Sequence, residues 1–321
     1  MNIIISGGTG FIGTNLCLYL LKKNEVKNIV LIDNFKTSNK DNLKSIKKID
    51  SKKIVKFIKS SVSDPNLIIK LIKIRRKFDI FFHLAAQSSG ENSFYEPIYD
   101  IETNILGTDN TLNISKKLKI DHYIYSSTMS VYGEIKLRSS IKETYNSSPK
   151  SIYGLTKLIS EKNIDLFSKS NDLKYTIFRL FNVYGPYQDL KNLKQGMLSI
   201  YLSYLLNKKK LIIKGSLKRT RDFIYIDDLC EAFWLVTQKK PSNQIYNLGT
   251  SKSTSVKKLI DYMFSNLNLN QKKYKISYLK STPGDVSGFK ANIEKLKKFI
   301  NWHPKVDINE GLKKTIIFYK G

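Results

Sequence analysis

At 321 residues the chain is long enough for about two domains, and its 41% hydrophobic content supports a large packed core. No apolar run approaches the ~20 residues of a membrane span, and the amino terminus reads as a strand without a basic, cleavable leader, so a cytoplasmic protein with no membrane partner is expected. The formal net charge of +28 invites a nucleic-acid partner, yet only six of the 55 basic residues are arginines and the lysines are scattered over the whole length. That pattern fits a general lysine-rich composition, and no nucleic-acid partner is expected. Cys17 and Cys230 read as small buried hydrophobes, and His83, His122 and His303 lack metal-ligand spacing, so no metal is expected.

The first element, Asn2 to Ser6, is an uncharged apolar run of the kind found in buried parallel strands. It runs into Gly7, Gly10 and Gly13 at the spacing G-x-x-G-x-x-G. The first glycine allows a sharp turn, the second lets backbone approach a pyrophosphate, and the third lets the next helix pack close. Phe11 and Ile12 open that helix, whose amides then face the phosphates. A second run, Asn28 to Ile32, ends in Asp33 and Asn34, about 20 residues past the last glycine, where dinucleotide ribose hydroxyls sit. Strand, glycines and terminal acid together predict a dinucleotide site. Asp33 would accept hydrogen bonds from a free ribose and repel a 2′-phosphate, which predicts NAD over NADP, with Lys36 the nearby cation that opposes this choice.

Further strands are predicted near 54–58, 79–84, 121–126 and 174–179, and helices near 11–23, 65–76, 98–118 and 151–170. This alternation implies an α/β fold, a Rossmann-type doubly wound parallel sheet with helices on both faces. The pattern loosens after Arg179, and Asn182-Val183-Tyr184-Gly185-Pro186 is a turn. An NAD-binding domain over 1–178 and a smaller mixed α/β substrate domain over 179–321 are expected, with room for later segments to return to the first.

Strand 121–126 ends in a hydroxyl cluster, Ser126-Ser127-Thr128-Met129-Ser130, before Val131-Tyr132-Gly133. Ligands of open α/β sheets bind outside the carboxyl ends of the strands, which is where this cluster lies. Tyr153 and Lys157 follow, four apart on a helix and therefore on one face. A free phenol titrates near ~10, and a neighbouring ammonium is expected to lower that value. Thr128 would hold a substrate hydroxyl against Tyr153, and Lys157 would bond the nicotinamide ribose. Spacing alone does not choose this pair. Tyr19/Lys23, Tyr132/Lys136, Tyr187/Lys191 and Tyr204/Lys208 share it, but only Tyr153/Lys157 follows a strand-end hydroxyl cluster at the start of a long helix.

These motifs, together with Ser63-Asp64, His83-Leu84-Ala85-Ala86, Asn104-Ile105-Leu106-Gly107-Thr108, Arg179 to Pro186 and Arg221 to Asp228, cover nearly the whole chain. In this the sequence resembles the extended short-chain dehydrogenase/reductases, specifically the nucleotide-sugar epimerases and dehydratases. The resemblance implies that Asp64 contacts adenine, that Ala85 and Ala86 line the cofactor groove, and that Asn182 and Arg221 bind the diphosphate of a nucleotide sugar. It also implies a homodimer paired through the helices carrying Asn104 and Tyr153. A guanidinium fork suits phosphate oxygens, although an ion pair with Asp222 would also employ Arg221. His83 reads as a core histidine, and Asn104 as a structural hydrogen-bonder.

Two departures matter. Related 4,6-dehydratases carry an Asp-Glu pair after the threonine, where this chain has Met129 and Ser130, neither of which acts as a general acid or base near neutral pH. The arginine that often precedes the late Pro283-Gly284-Asp285 is missing, with Thr282 in its place and Lys280 nearby. The expected activity is NAD-dependent C4 epimerisation of a UDP-hexose. The alternatives are a 4-ketoreductase of a nucleotide-deoxysugar, and a catalytically idle nucleotide-binding or RNA-binding relative.

Overall fold

The uncharged runs of the first half become the inner strands of one parallel sheet. The computed structural model describes residues 1–135, 140–239 and 243–321, so Lys136 of the Tyr132/Lys136 pair lies outside the described residues. Strands β1 (Asn2–Ser6), β2 (Asn28–Asp33) and β3 (Val55–Lys59) alternate with helices α1 (Phe11–Leu20), α2 (Lys40–Ile49) and α3 (Leu67–Ile72). On the other flank of β1 lies β4 (Ile80–His83), with Ser6 opposite His83. Helix α4 (Pro97–Asp100), a π-helical turn over Ile101–Leu106 and helix α5 (Gly107–Lys117) follow without a break, and lead to β5 (His122–Thr128). After the short β6 (Ser140–Ile141) come the long α6 (Ile152–Asn171) and β7 (Tyr175–Leu180).

The later segments are β8 (Asn182–Tyr184), α7 (Met197–Leu206), β9 (Leu211–Lys214), β10 (Thr220–Arg221), β11 (Phe223–Tyr225), α8 (Ile226–Thr237) and β12 (Gln244–Leu248). They continue through β13 (Thr254–Ser255), α9 (Val256–Leu267), β14 (Ile276–Leu279), β15 (Lys290–Ala291), α10 (Glu294–Ile300) and α11 (Ile308–Lys320). Strand β12 returns to the main sheet beside β7, giving the order β12-β7-β5-β4-β1-β2-β3, all parallel. The other late strands form two-stranded ladders, β8 with β11, β9 with β14, β10 with β13, and β15 with β6. Strand order reverses between β1 and β4, which opens a crevice at their carboxyl ends.

Side chains on β1 alternate between two cores, as the two-residue period of a strand requires. Ile3 and Ile5 join a cluster on one face of the sheet and Ile4 joins the cluster on the other. All three are fully buried, each contributing about 1.5–3 kcal/mol of hydrophobic stabilisation. Helix α2 escapes sequence analysis because five of its ten residues are charged. It packs through buried Asn42 and Ile46 and partly buried Leu43, while the Asn39 side chain caps its start by accepting from Asp41 N. The expected helix over 98–118 is interrupted by the π-turn, which carries Asn104 into a buried network with Gln87 and Thr156.

Candidate active site

Gly7 has φ +67°, and a Cβ there would stand 2.7 Å from Ala85 N. A Cβ on Gly13 would stand 2.1 Å from the Gly7 carbonyl oxygen. Both positions therefore exclude a side chain, and the loop presses backbone on backbone where β1 meets α1. Beside it opens a cavity of about 370 Å³. Gly7, Gly10, Phe11, Ile12, Gly13, Asp33, Asn34, Ala85 and Ala86 line it, and Thr128, Tyr153, Lys157 and Asn182 complete its wall. Asp33, at the end of β2, accepts from Thr9 N at 3.1 Å, Phe35 N at 2.9 Å and Ser38 Oγ at 2.7 Å. Asp64 is not among the lining residues. Its carboxylate takes Ser60 Oγ at 2.7 Å and Lys70 Nζ at 2.8 Å, and these bonds hold its pKa down at about 2.

Thr128 closes β5 and Tyr153 opens α6, so strand end and helix start meet across the cavity. Ser151 caps α6 by accepting from Gly154 N at 3.1 Å, which fixes the first turn carrying Tyr153. Thr128 Oγ1 accepts from Ser130 N at 3.1 Å. The expectation that Lys157 lowers the Tyr153 phenol is not met. Burial pushes the phenol up to about 12, the facing Thr128 hydroxyl works against this, and the Asp100 charge adds to it. Lys157 is itself 1% exposed and pushed down to about 7 by burial, against the pull of Glu161. Desolvation outweighs the pairing because the charged forms of both the phenol and the lysine lose hydration in this wall.

Glu161 is occupied elsewhere. It receives Arg179 Nε and NH2, the latter at 2.7 Å, and the Ser127 hydroxyl. His83 is fully buried between Ser6 Oγ and Thr108 Oγ1, and burial holds it neutral, as a core histidine. Asn104 is a structural bonder, joined to Gln87 backbone and Thr156 Oγ1. Tyr132 is no surface residue: it is 1% exposed, donates to Asn247 Oδ1 at 2.6 Å and stacks under Arg179.

A second cavity of about 330 Å³ adjoins the first through Met129, Ser130, Asn182, Gly196 and Met197. Arg221 lines it, 5% exposed, and donates to Asp285 at 2.5 Å; Asp222 is not its partner. Asp222 instead holds backbone at Thr250, Ser251 and Ala291. Arg219 also pairs with Asp285 and lines the cavity, whereas Lys280 does not. The sequence reading missed Arg219, since it stands 66 residues from its partner and has no motif of its own. Met129 and Ser130 line both cavities, and the carboxylates lining the first are Asp33 and Asp189. Asn182 spends its amide on Asp222 O at 3.0 Å and Met129 Sδ at 3.4 Å.

A segment over 186–196, also unread from sequence, forms one wall of the first cavity through Gln188, Asp189, Asn192 and Gln195. Asn15 and Asn42 hold its carbonyls at Pro186 and Tyr187, and Tyr319 OH donates to Gln188 O at 2.5 Å. Ser89 Oγ donates to Lys194 O at 2.7 Å, and the Tyr187 ring packs on Phe318 at 4.7 Å.

Residues 4–315 match the family model described as GDP-mannose 4,6 dehydratase. The chain belongs to the nucleotide-sugar epimerase and dehydratase family. This is the extended short-chain dehydrogenase/reductase group, and its Rossmann-type sheet is the one described above. A putative UDP-glucose 4-epimerase of Methanocaldococcus jannaschii is 32% identical over 99% of this chain and 98% of its own length. A dTDP-D-glucose 4,6-dehydratase of Dictyostelium discoideum is also 32% identical, over 99% of this chain and 81% of its own. Among solved structures, UDP-glucose 4-epimerase of Thermotoga maritima with UDP-glucose superposes with a TM-score of 0.90 at 31% identity, covering 100% and 99% of the two chains. UDP-glucuronic acid 4-epimerase of Bacillus cereus, in complex with UDP-glucuronic acid and NAD, gives a TM-score of 0.90 at 29% identity over 100% and 99%. Epimerases and dehydratases thus both stand among its relatives. Among the described residues, no helix is long and apolar enough to cross a membrane, and no group of three or more His, Cys, Asp or Glu could hold a metal.

Proposed function

We propose that the protein is an NAD-dependent epimerase acting at C4 of a UDP-hexose through a 4-keto sugar. The observation that carries this reading is the make-up of one cavity wall. Thr128, Tyr153 and Lys157 converge there, while the two positions after Thr128 offer a thioether and a hydroxyl. Dehydration needs protons moved at two further carbons, and Met129 and Ser130 cannot move them near neutral pH.

NAD fits the residues present: the glycine cradle has no room for a side chain, and Asp33 presents a carboxylate where a free ribose would bond. Gly7 to Gly13 would hold the pyrophosphate, Asp33 and Asn34 the adenosine ribose, Ala85 and Ala86 the groove, and Lys157 the nicotinamide ribose. Asp64 would contact adenine through the acceptor capacity that Ser60, Lys70 and Asn66 leave on its carboxylate. Bound NAD supplies reversible hydride acceptance at C4. Tyr153 takes the C4 hydroxyl proton and later returns it, with Thr128 fixing that oxygen. Asn182 and Arg221 would receive the sugar-nucleotide diphosphate.

The test is incubation with UDP-glucose, UDP-galactose and their N-acetyl forms without added cofactor, followed by NMR. Appearance of a 4-epimer with no net change in nicotinamide absorbance supports the reading. Stoichiometric consumption of reduced cofactor by a 4-keto sugar, with no hexose interconverted, replaces it with the ketoreductase.

A homodimer is part of the same proposal. Leu155, Ile159 and Leu166 make an apolar stripe along α6, and Ile98, Ile101 and Leu106 lie on the neighbouring 97–117 segment, all 40–64% exposed. Two such helices from each copy would form a four-helix interface. A monomer at micromolar concentration in light scattering counts against it.

A further inference from the structure

Lys157 is a buried cation without an anion. Among the described residues it forms no ion pair, and Glu161, one turn along α6, is committed to Arg179 and Ser127. Its ammonium instead stands 4.0 Å from the ring centroid of Tyr125, on β5. That contact is fully desolvated, since Tyr125 is 0% exposed and Lys157 1%. A ring face attracts a cation electrostatically, and the attraction strengthens when water is excluded.

The Tyr125 hydroxyl does nothing comparable. It lies beside Ser160 and Thr108, whose protons already go to the Asn104 carbonyl, and among the described residues it makes no hydrogen bond of normal length and angle. An orphaned hydroxyl at a fully buried position costs stability. The ring is therefore the useful part of this side chain.

We infer that Tyr125 is a positioning residue for the reaction, its ring face seating the Lys157 ammonium at the cavity wall and keeping it charged. The inference rests on the reading of Lys157 as part of the reacting set. The groups facing this pair are Tyr153 and Glu161 from α6, His83 from β4, and Arg179 from β7 through Glu161. His83 is held neutral, and Glu161 alone among them favours the charged lysine. Without the ring, the lysine loses its proton at lower pH.

The test compares Tyr125→Phe, Tyr125→Leu and Tyr125→Met by pH profile and by ¹³C NMR of Cε-labelled lysine, with Lys157→Met assigning the signal. Tyr125→Phe should keep the wild-type turnover, titration midpoint and pH profile, and melt no lower than wild type. Tyr125→Leu and Tyr125→Met should move the lysine midpoint, and with it the alkaline limb of turnover, down by roughly one pH unit or more. Should either aliphatic variant fail to fold, phenylalanines with one, two and three ring fluorines keep the shape while weakening the ring's negative face, and should shift the midpoint stepwise. An unmoved midpoint in the folded aliphatic variants or across the fluorine series overturns the inference, as does an equal shift in Tyr125→Phe. Wild-type turnover in Lys157→Met overturns the underlying reading instead, and the NMR midpoints still report whether the ring holds the charge.

Discussion

The two ends of the active-site cleft are built from different materials. The cofactor end is backbone and shape: glycines at 7 and 13 that tolerate no Cβ, two alanines, and one carboxylate capped by amides and a hydroxyl. The far end is charge: Arg219 and Arg221 converge on Asp285, and each comes from a segment more than 60 residues away from that partner. A site made of shape fails when volume is added. A site made of charge fails when charge or fork geometry is removed, because an anion entering it then lacks its partner. Between them stand Thr128, Tyr153 and Lys157, the residues proposed to carry the chemistry, which belong to neither pattern.

Substitutions can break this contrast at each point. Tyr153→Phe should have the largest effect, cutting turnover by ~10²–10⁴ with the fold and NAD affinity intact, as measured by steady-state rates and calorimetry. A loss below tenfold would show that the proton goes elsewhere. Arg221→Gln removes one arm of the charged end, and its KM should rise roughly 30-fold or more, with kcat changing less. Unaltered KM would mean that the arginine serves Asp285 alone. Gly13→Ala adds one carbon at the shape-built end and should destabilise by about 1–3 kcal/mol in thermal unfolding while weakening NAD binding. If the variant melts normally, the loop has more slack than the contact to the Gly7 carbonyl allows. Tyr132→Phe should have the smallest effect, a loss of about 1–2 kcal/mol from the unpaired Asn247 oxygen, with turnover within a few-fold of wild type. A large rate loss there would place Tyr132, with its own lysine four residues on, in contact with the reaction.

The same contrast explains what the sequence made legible. Gly7 to Asp33 is read from one continuous stretch, because a strand, a tight loop and a helix start are local events with fixed spacing. Tyr153 and Lys157 are read from helical periodicity plus their place after a strand-end hydroxyl cluster. Arg219, the wall over 186–196 and the Tyr125 ring are products of long-range packing, and no spacing encodes them. The sign of the Tyr153 shift was also out of reach, since it depends on how far the cavity walls withdraw the phenol from water rather than on which residue lies four places on. The chain's return to the sheet at Gln244–Leu248 is hidden for a related reason: only five residues mark it, and nothing in them says that the strand pairs with β7, more than 60 residues back in the chain.

The wall over 186–196 carries a kinetic consequence. It is fastened from Asn15, Asn42, Ser89 and Tyr319, four separate parts of the chain. For a dinucleotide lying behind it, opening of those fastenings would be a step in release, which ties its residence time to a local unfolding event as well as to its own contacts. A redox-neutral cycle tolerates such slow exchange without loss of rate, because the nicotinamide ends each turnover as it began. A reductase would have to wait for the wall at every turn. Tyr319→Phe, which frees the Gln188 carbonyl, should therefore quicken both amide exchange across 187–195 and release of bound NAD.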